Sequence, residues 1–197
     1  MSISSFLKRM VTKITGGSGN VVNDVVTQVA NAPKVHDVNI SPLPTSVDEL
    51  KQFDLTKPEN TVALTIAALC MYPKDRDTCY AMLDYLKGPE DISEYEKQFI
   101  RDRFMDGVDY IPRSYFKGAT PENDYQGQEG KLEVLEYANS YIDNNQNYRA
   151  YWVRSGGADG PREVRVRLKP STGEWFVNLY EGLLPGIKTP VSRDKWA

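Results

Sequence analysis

Residues 162–169 alternate without a break: Val164, Val166 and Leu168 fall on one face, Glu163, Arg165, Arg167 and Lys169 on the other. A period of two with β-branched residues on one side predicts a half-buried strand. Pro170-Ser171-Thr172-Gly173 then turns the chain into Trp175, Val177 and Leu179 at the same period, giving a hairpin with one apolar and one cationic face. Residues 148–155 read as a further strand, with Tyr148, Ala150 and Trp152 opposed to Arg149, Tyr151 and Val153. Residues 131–137 read as another, with Leu132 and Val134 on one side. Before these the period is helical. Thr56-Lys57-Pro58-Glu59 spells a capping box with Pro in the first turn. It opens a helix over residues 60–71 that is apolar almost all round, and so is expected to be the central buried helix, stopped by Pro73. Asp75 or Asp77 caps a second helix carrying Tyr80, Met82, Leu83, Tyr85 and Leu86, closed by Gly88-Pro89. Asp91 or Ser93 caps a third, with Tyr95, Phe99, Ile100 and Phe104 inward, stopping at Gly107. After Gly107 the pattern turns toward strands through residues 108–111. Helices first and strands afterwards predict an α+β domain: a three-helix half packed on an antiparallel sheet of four to five strands.

The first 45 residues differ in character. Ile3, Phe6, Leu7, Met10, Val11 and Ile14 make one helical stripe beside Lys8, Arg9 and Lys13. Gly16-Gly17-Ser18-Gly19 ends it, and Val22, Val25, Val26 and Val29 begin a second stripe. Pro33, Pro42 and Pro44 then mark a linker. The expected organisation is therefore an amphipathic helical arm with a Pro-rich linker over residues 1–45 and a single domain over 46–197. Helices this short are marginal alone. Residues 1–30 accordingly need a cover: their own domain, a second copy, a protein partner, or an anionic membrane surface met by residues 1–15.

Composition narrows the function. The chain has 197 residues, 40% hydrophobic and 26% charged, with a net charge of -3. Those are the proportions of a globular protein without a nucleic-acid footprint. Cys70 and Cys79 form no CxxC pair and read as small core residues. No apolar run is long enough to span a membrane, and lysines and an arginine interrupt any signal-peptide core. A cytoplasmic, at most membrane-peripheral, location is the expectation. His36 is the only histidine and falls in the expected linker. With the commonest general base and metal ligand so scarce, no catalytic residue, metal site or cofactor is assigned, and the balance leans away from an enzyme.

Three clusters remain as candidate chemistry. Arg165, Arg167 and Lys169 on one strand, Arg149 on its expected neighbour, and Arg113, Tyr115 and Lys117 in an aromatic loop could gather around an anionic ligand. The Gly-rich stretch 155–160 could add backbone N–H groups. The plain alternative is a solvated strand face. Asp102 and Asp106, four apart, share a helix face and could hold a cation; a charged face needs no function, however. The loop 111–125 crowds Arg, Ser, Tyr, Lys, Thr, Glu, Asn and Asp between two prolines. Long ordered loops of that kind often carry sites, so a pocket is sought there first.

The stretches "ENTVALTIAALCMYP", "YIPRSYFKGATPENDY", "RSGGADGPREVRVRLKPSTGEWFV" and "LLPGIKTPVSRDKWA" resemble an uncharacterised bacterial, Firmicutes-type family of domains of unknown function. The resemblance covers roughly residues 57–197. It implies a bacterial origin, one domain over that span, an N-terminal part outside it, and no assigned activity. The hairpin "VRVRLKPSTGEWFV" also looks like the closing strands of cone-shaped α+β folds of the nuclear-transport-factor-2 type. The expectation from all of this is a non-enzymatic binding or interaction module that self-associates. The alternatives are a binding protein or enzyme for a small anionic ligand, using the Arg113 loop and the basic strand face, and a membrane-tethered protein.

Overall fold

The computed structural model describes residues 32–197 except Asn139, Asn144 and Ala197. The expected arm over residues 1–31 lies outside the described residues. The described chain runs β1 (Lys34–Asn39), α1 (Val47–Leu50), α2 (Pro58–Met71), α3 (Arg76–Lys87), α4 (Glu94–Arg103), β2 (Lys131–Glu136), β3 (Tyr141–Ile142), β4 (Asn145–Val153), β5 (Arg162–Lys169) and β6 (Glu174–Leu179). The strands form one sheet in the order β1-β2-β4-β5-β6, and β3 pairs with the N-terminal half of β4. The fold is α+β, with six strands where four to five were expected. The two missed strands are β1, inside the supposed linker, and the two-residue β3. The linker reading is corrected accordingly: residues from Val35 onward belong to one compact unit.

Helix α2 is buried on every side, as its apolar surround demands. Val62, Leu64, Ile66 and Leu69 are at most 1% exposed, and each contributes about 1.5–3 kcal/mol through burial. Its two interior threonines are satisfied: Thr61 Oγ1 donates to the Trp175 carbonyl (2.7 Å) and Thr65 Oγ1 to the Thr61 carbonyl (2.9 Å). The first of these bonds ties the helix to β6, whose Trp175 N–H also reaches Leu55 O (2.8 Å). The capping box expected at Thr56 does not form. Asp54 captures both the Thr56 N–H and its hydroxyl, and Lys57 is a cap without a side-chain bond, so Glu59 is free for another partner.

Asp75 caps α3 and Ser93 caps α4; the second is a full capping box with Glu96. Glu96 also accepts from Lys87 at 2.8 Å, so one carboxylate joins the end of α3 to the start of α4. Replacing Ser93 with Ala removes two bonds to that hub. It is expected to cost about 1–2 kcal/mol, read from the midpoint of urea unfolding. Helix α4 ends at Arg103, and Asp106 sits in a left-handed conformation (φ 57°), so the Asp102/Asp106 face does not exist. Tyr95, expected inward, is 73% exposed, while Ile100 is buried. The strand expected over residues 108–111 does not form: residues 104–130 are tight turns with one isolated bridge, Lys117 to Gln128.

Register fixes the sheet faces. Tyr151 lies opposite Val164 and Arg149 opposite Val166, facing the helices. Tyr148, opposite Arg167, and Ala150, opposite Arg165, belong to the outer face. The C-terminal stretch runs over the surface, but Trp196 is 96% exposed and does not pin it. The pins are polar: Tyr115 OH to Leu183 O (2.6 Å), Tyr125 OH to Lys188 O (2.6 Å) and Arg193 to Asp109 (2.7 Å).

Candidate ligand-binding site

The aromatic loop does shape a cleft, of about 590 Å3. A helical turn, Pro112–Tyr115, starts the loop and is locked by the buried Ser114 hydroxyl donating to Ile111 O (2.7 Å). A second capped turn, Pro121–Asn123, ends in Asp124 and Tyr125, both at positive φ. Tyr125 stacks on Tyr110 with ring centroids 5.6 Å apart. The loop is therefore braced from beneath. Cys70, Phe116, Tyr125 and Leu43 make the floor of the cleft; Lys74, Asp109 and Arg113 line it together with Gln126, Gly127 and Glu129.

The charges are unevenly satisfied. Arg193 donates to Asp109 at 2.7 Å and to the Gly107 carbonyl at 3.0 Å. Arg113 stands 3.7 Å from the same carboxylate, too far for a hydrogen bond, and its buried Nε has no hydrogen-bond partner. Lys74 and Glu129 make no ion pair among the described residues. The Cys70 thiol is pushed up to about 12 by burial and by the Glu129 charge, with Lys74 and Arg113 pulling back. It is a neutral thiol and no nucleophile. Burial also raises the thiol of Cys79, which is fully buried, as expected of a core residue. Two cations, two acids and an apolar floor can hold and orient a ligand.

The six expected binding residues do not converge. Tyr115 and Lys117 line a separate depression of about 350 Å3, where Lys117 pairs with Asp37 and Glu133, and Arg154 also faces Glu133 (3.5 Å). Tyr115 is buried and spends its hydroxyl on Leu183. Arg167 lines a small hollow of about 140 Å3 and donates to Glu90 (3.2 Å). Arg165 bonds its own strand neighbour Glu163 (2.5 Å). Arg149 is on the opposite face of the sheet from Arg165 and Arg167, because it shares the face of Tyr151 and Val153 and pairs with Val166. The Gly-rich loop is no anion cradle either: Gly156 N–H donates to Ser114 O (2.9 Å) and Gly157 N–H to Ser155 Oγ (3.1 Å).

A polar cluster that the sequence reading missed surrounds Arg149. Its guanidinium pairs with Glu136 of β2 and lies over the rings of Tyr141 (4.7 Å), Tyr151 (5.2 Å) and Trp175 (5.8 Å). His36, expected in the linker, sits in β1 with a side chain 13% exposed. Its Nε2 is 2.7 Å from Glu136, and its Nδ1 is 3.4 Å from the Glu59 that the failed capping box released. An ionised carboxylate only accepts, so Nε2–H is the donor. The available signal was an arginine on the apolar side of a strand, a placement that demands a partner. Among the described residues no group of three or more His, Cys, Asp or Glu side chains is placed to hold a metal ion.

An α+β domain with a braced loop over a mixed-charge cleft is the class that the fold and site define. The chain belongs to a family of domains of unknown function, DUF6935, whose model matches residues 42–191. The match takes in every cleft residue from Leu43 to Glu129 and begins after β1. No curated protein and no solved structure matches the chain. No helix among the described residues is long and apolar enough to cross a membrane.

Proposed function

We propose that the chain is a binding module that captures a small oxyanion-bearing molecule in the cleft beside Arg113. One observation carries the reading: the carboxylate nearest Arg113 is hydrogen-bonded by Arg193, so Arg113 keeps only a loose 3.7 Å ion pair with it, and its half-exposed guanidinium end can turn to an incoming carboxylate or phosphate. Lys74 adds charge, and the floor takes an apolar body. The rival expectation, self-association, a protein partner or membrane contact through residues 1–30, falls on residues outside the described ones. Because β1 belongs to the sheet, a truncation that tests it has to keep residue 32 onward.

The test is calorimetric titration of 3-phenylpropanoate and inorganic phosphate onto the full chain. Binding of either is expected, weakened roughly 10- to 100-fold by Arg113→Gln, since a hydrogen bond to a charged group is worth about 1.5–3 kcal/mol. Arg165→Gln, remote from the cleft, is expected to leave affinity unchanged. Equal losses in the two variants, or no binding of either probe, would overturn the reading.

A further inference from the structure

Resting on that reading, we propose that the cleft takes a zwitterion of amino-acid or short-peptide type. Arg113 and Lys74 hold its carboxylate, Glu129 holds its ammonium, and its apolar body lies on Leu43 and Phe116. The ground is the distribution of unspent charge. Arg113 and Lys74 are the cations of the cleft that no carboxylate holds closely, and Glu129 is the acid with no ion pair among the described residues. These opposite charges line one cleft together with the Cys70 thiol, which burial raises first and the Glu129 charge next, with the two cations opposing. A ligand bearing only negative charge would satisfy the cations and be repelled by Glu129. A ligand with both signs leaves none of the three groups unpaired, and rejection of the wrong charge type is how such a site becomes specific. The volume, about 590 Å3, is in the ordinary range for small-molecule sites and accommodates a peptide of two residues.

The experiment titrates phenyl-bearing compounds of different charge type onto the full chain by calorimetry: L-phenylalanine and glycyl-L-phenylalanine as zwitterions, 3-phenylpropanoate as the anion, phenethylamine as the cation. At least one zwitterion is expected to bind about 10-fold or more tightly than 3-phenylpropanoate, for one charge-assisted bond gained, and phenethylamine more weakly than either. In Glu129→Gln, a change at an exposed position whose fold is checked by circular dichroism, the zwitterion's advantage over 3-phenylpropanoate is expected to vanish. If 3-phenylpropanoate binds as well as both zwitterions in the unmodified chain, the zwitterion inference is wrong and the oxyanion reading stands. Should the advantage survive Glu129→Gln, the assignment of Glu129 is wrong. If phenethylamine binds best, both fall; if no carboxylate binds, the zwitterion inference falls, and the oxyanion reading falls with it when inorganic phosphate also fails to bind.

Discussion

Gly156→Ala is expected to destabilise the domain by about 3 kcal/mol, while Gly160→Ala, four residues on in the same loop, changes stability by no more than about 0.5 kcal/mol. A Cβ on Gly156 would come 1.8 Å from the Ala119 carbonyl oxygen and 2.9 Å from its carbon. The obstruction is backbone against backbone, so no side-chain rotation relieves it. The two segments have to part, and parting them strains three contacts that hold the aromatic loop to the β4–β5 connection. These are the Gly156 N–H to Ser114 O (2.9 Å), the Ser155 hydroxyl to the Ser114 hydroxyl (2.8 Å), and the seat of the Tyr125 ring beside Gly157. Overpacking contributes about 1–3 kcal/mol and each weakened bond about 1 kcal/mol. A Cβ on Gly160 meets nothing within 4 Å. Urea unfolding of the two variants checks the contrast, and comparable midpoints would remove the packing role given to Gly156. Because the aromatic loop on which Gly156 packs lines the cleft through Arg113, Phe116 and Tyr125, Gly156→Ala is also expected to weaken 3-phenylpropanoate binding without touching the ligand.

That packing role shows why a Gly-rich loop was legible as special but not as what it is. Glycines signal a close approach or an unusual backbone, and sequence alone does not say whether the neighbour is an anion or another strand of the same chain. Patterns carried by several residues at once were secure. The alternation through Val164, Val166 and Leu168 placed β5 at its observed bounds, and the apolar surround of residues 62–69 identified the buried helix. Features that depend on one partner were not. Strand β1 has a single fully buried side chain, Val38, between Lys34, His36, Asp37 and Asn39, because it is an edge strand whose neighbour on one side is β2. Flanking prolines then made it look like linker. Thr56 and Glu59 carry the spacing of a capping box, but Asp54, two residues earlier, competes for Thr56 and wins. The aromatic loop was legible as a pocket wall from its length and residue mix. Which cations it gathers was not, since Lys74 comes from the α2–α3 connection and Arg193, which neutralises Asp109, from the C-terminal stretch.

The same dependence on distant partners governs the second large effect, at Arg149. Replacing it with Met keeps most of the volume beneath Tyr141 and Tyr151 but strips Glu136 of its guanidinium. Loss of one member of a buried pair costs about 3–5 kcal/mol, and the lower end applies because Glu136 remains about one-fifth exposed. Glu136→Gln is expected to cost less, about 1–2 kcal/mol, as its amide oxygen still accepts and Arg149 retains its aromatic rings. Acid pH separates the two. Burial pushes the Glu136 carboxyl up, but the hydrogen bond from His36 and the charge of Arg149 outweigh it, so the carboxyl is held below its ordinary value of 4.5. A carboxyl depressed in the folded state contributes stability that is complete above its unfolded value and disappears as pH falls through the folded one. The stability difference between the unmodified chain and Glu136→Gln should therefore be larger above that range than below it. From about 4.5 downward the difference should shrink, since the variant has no such contribution to lose. Glu96, also held low despite its burial by Lys87 and Ser93, titrates in the same range but is common to both proteins and cancels in the comparison. Unfolding free energies measured from pH 7 to pH 3 decide the matter: curves that stay parallel down to pH 3 would mean that Glu136 is not stabilised by its partners. A double-mutant cycle of Glu136→Gln with Arg149→Met would then show additive losses instead of the coupling of about 1 kcal/mol or more expected of a half-buried, hydrogen-bonded pair. A coupled pair makes this cluster the polar clasp that holds β1, β2 and β4 against the first turn of α2.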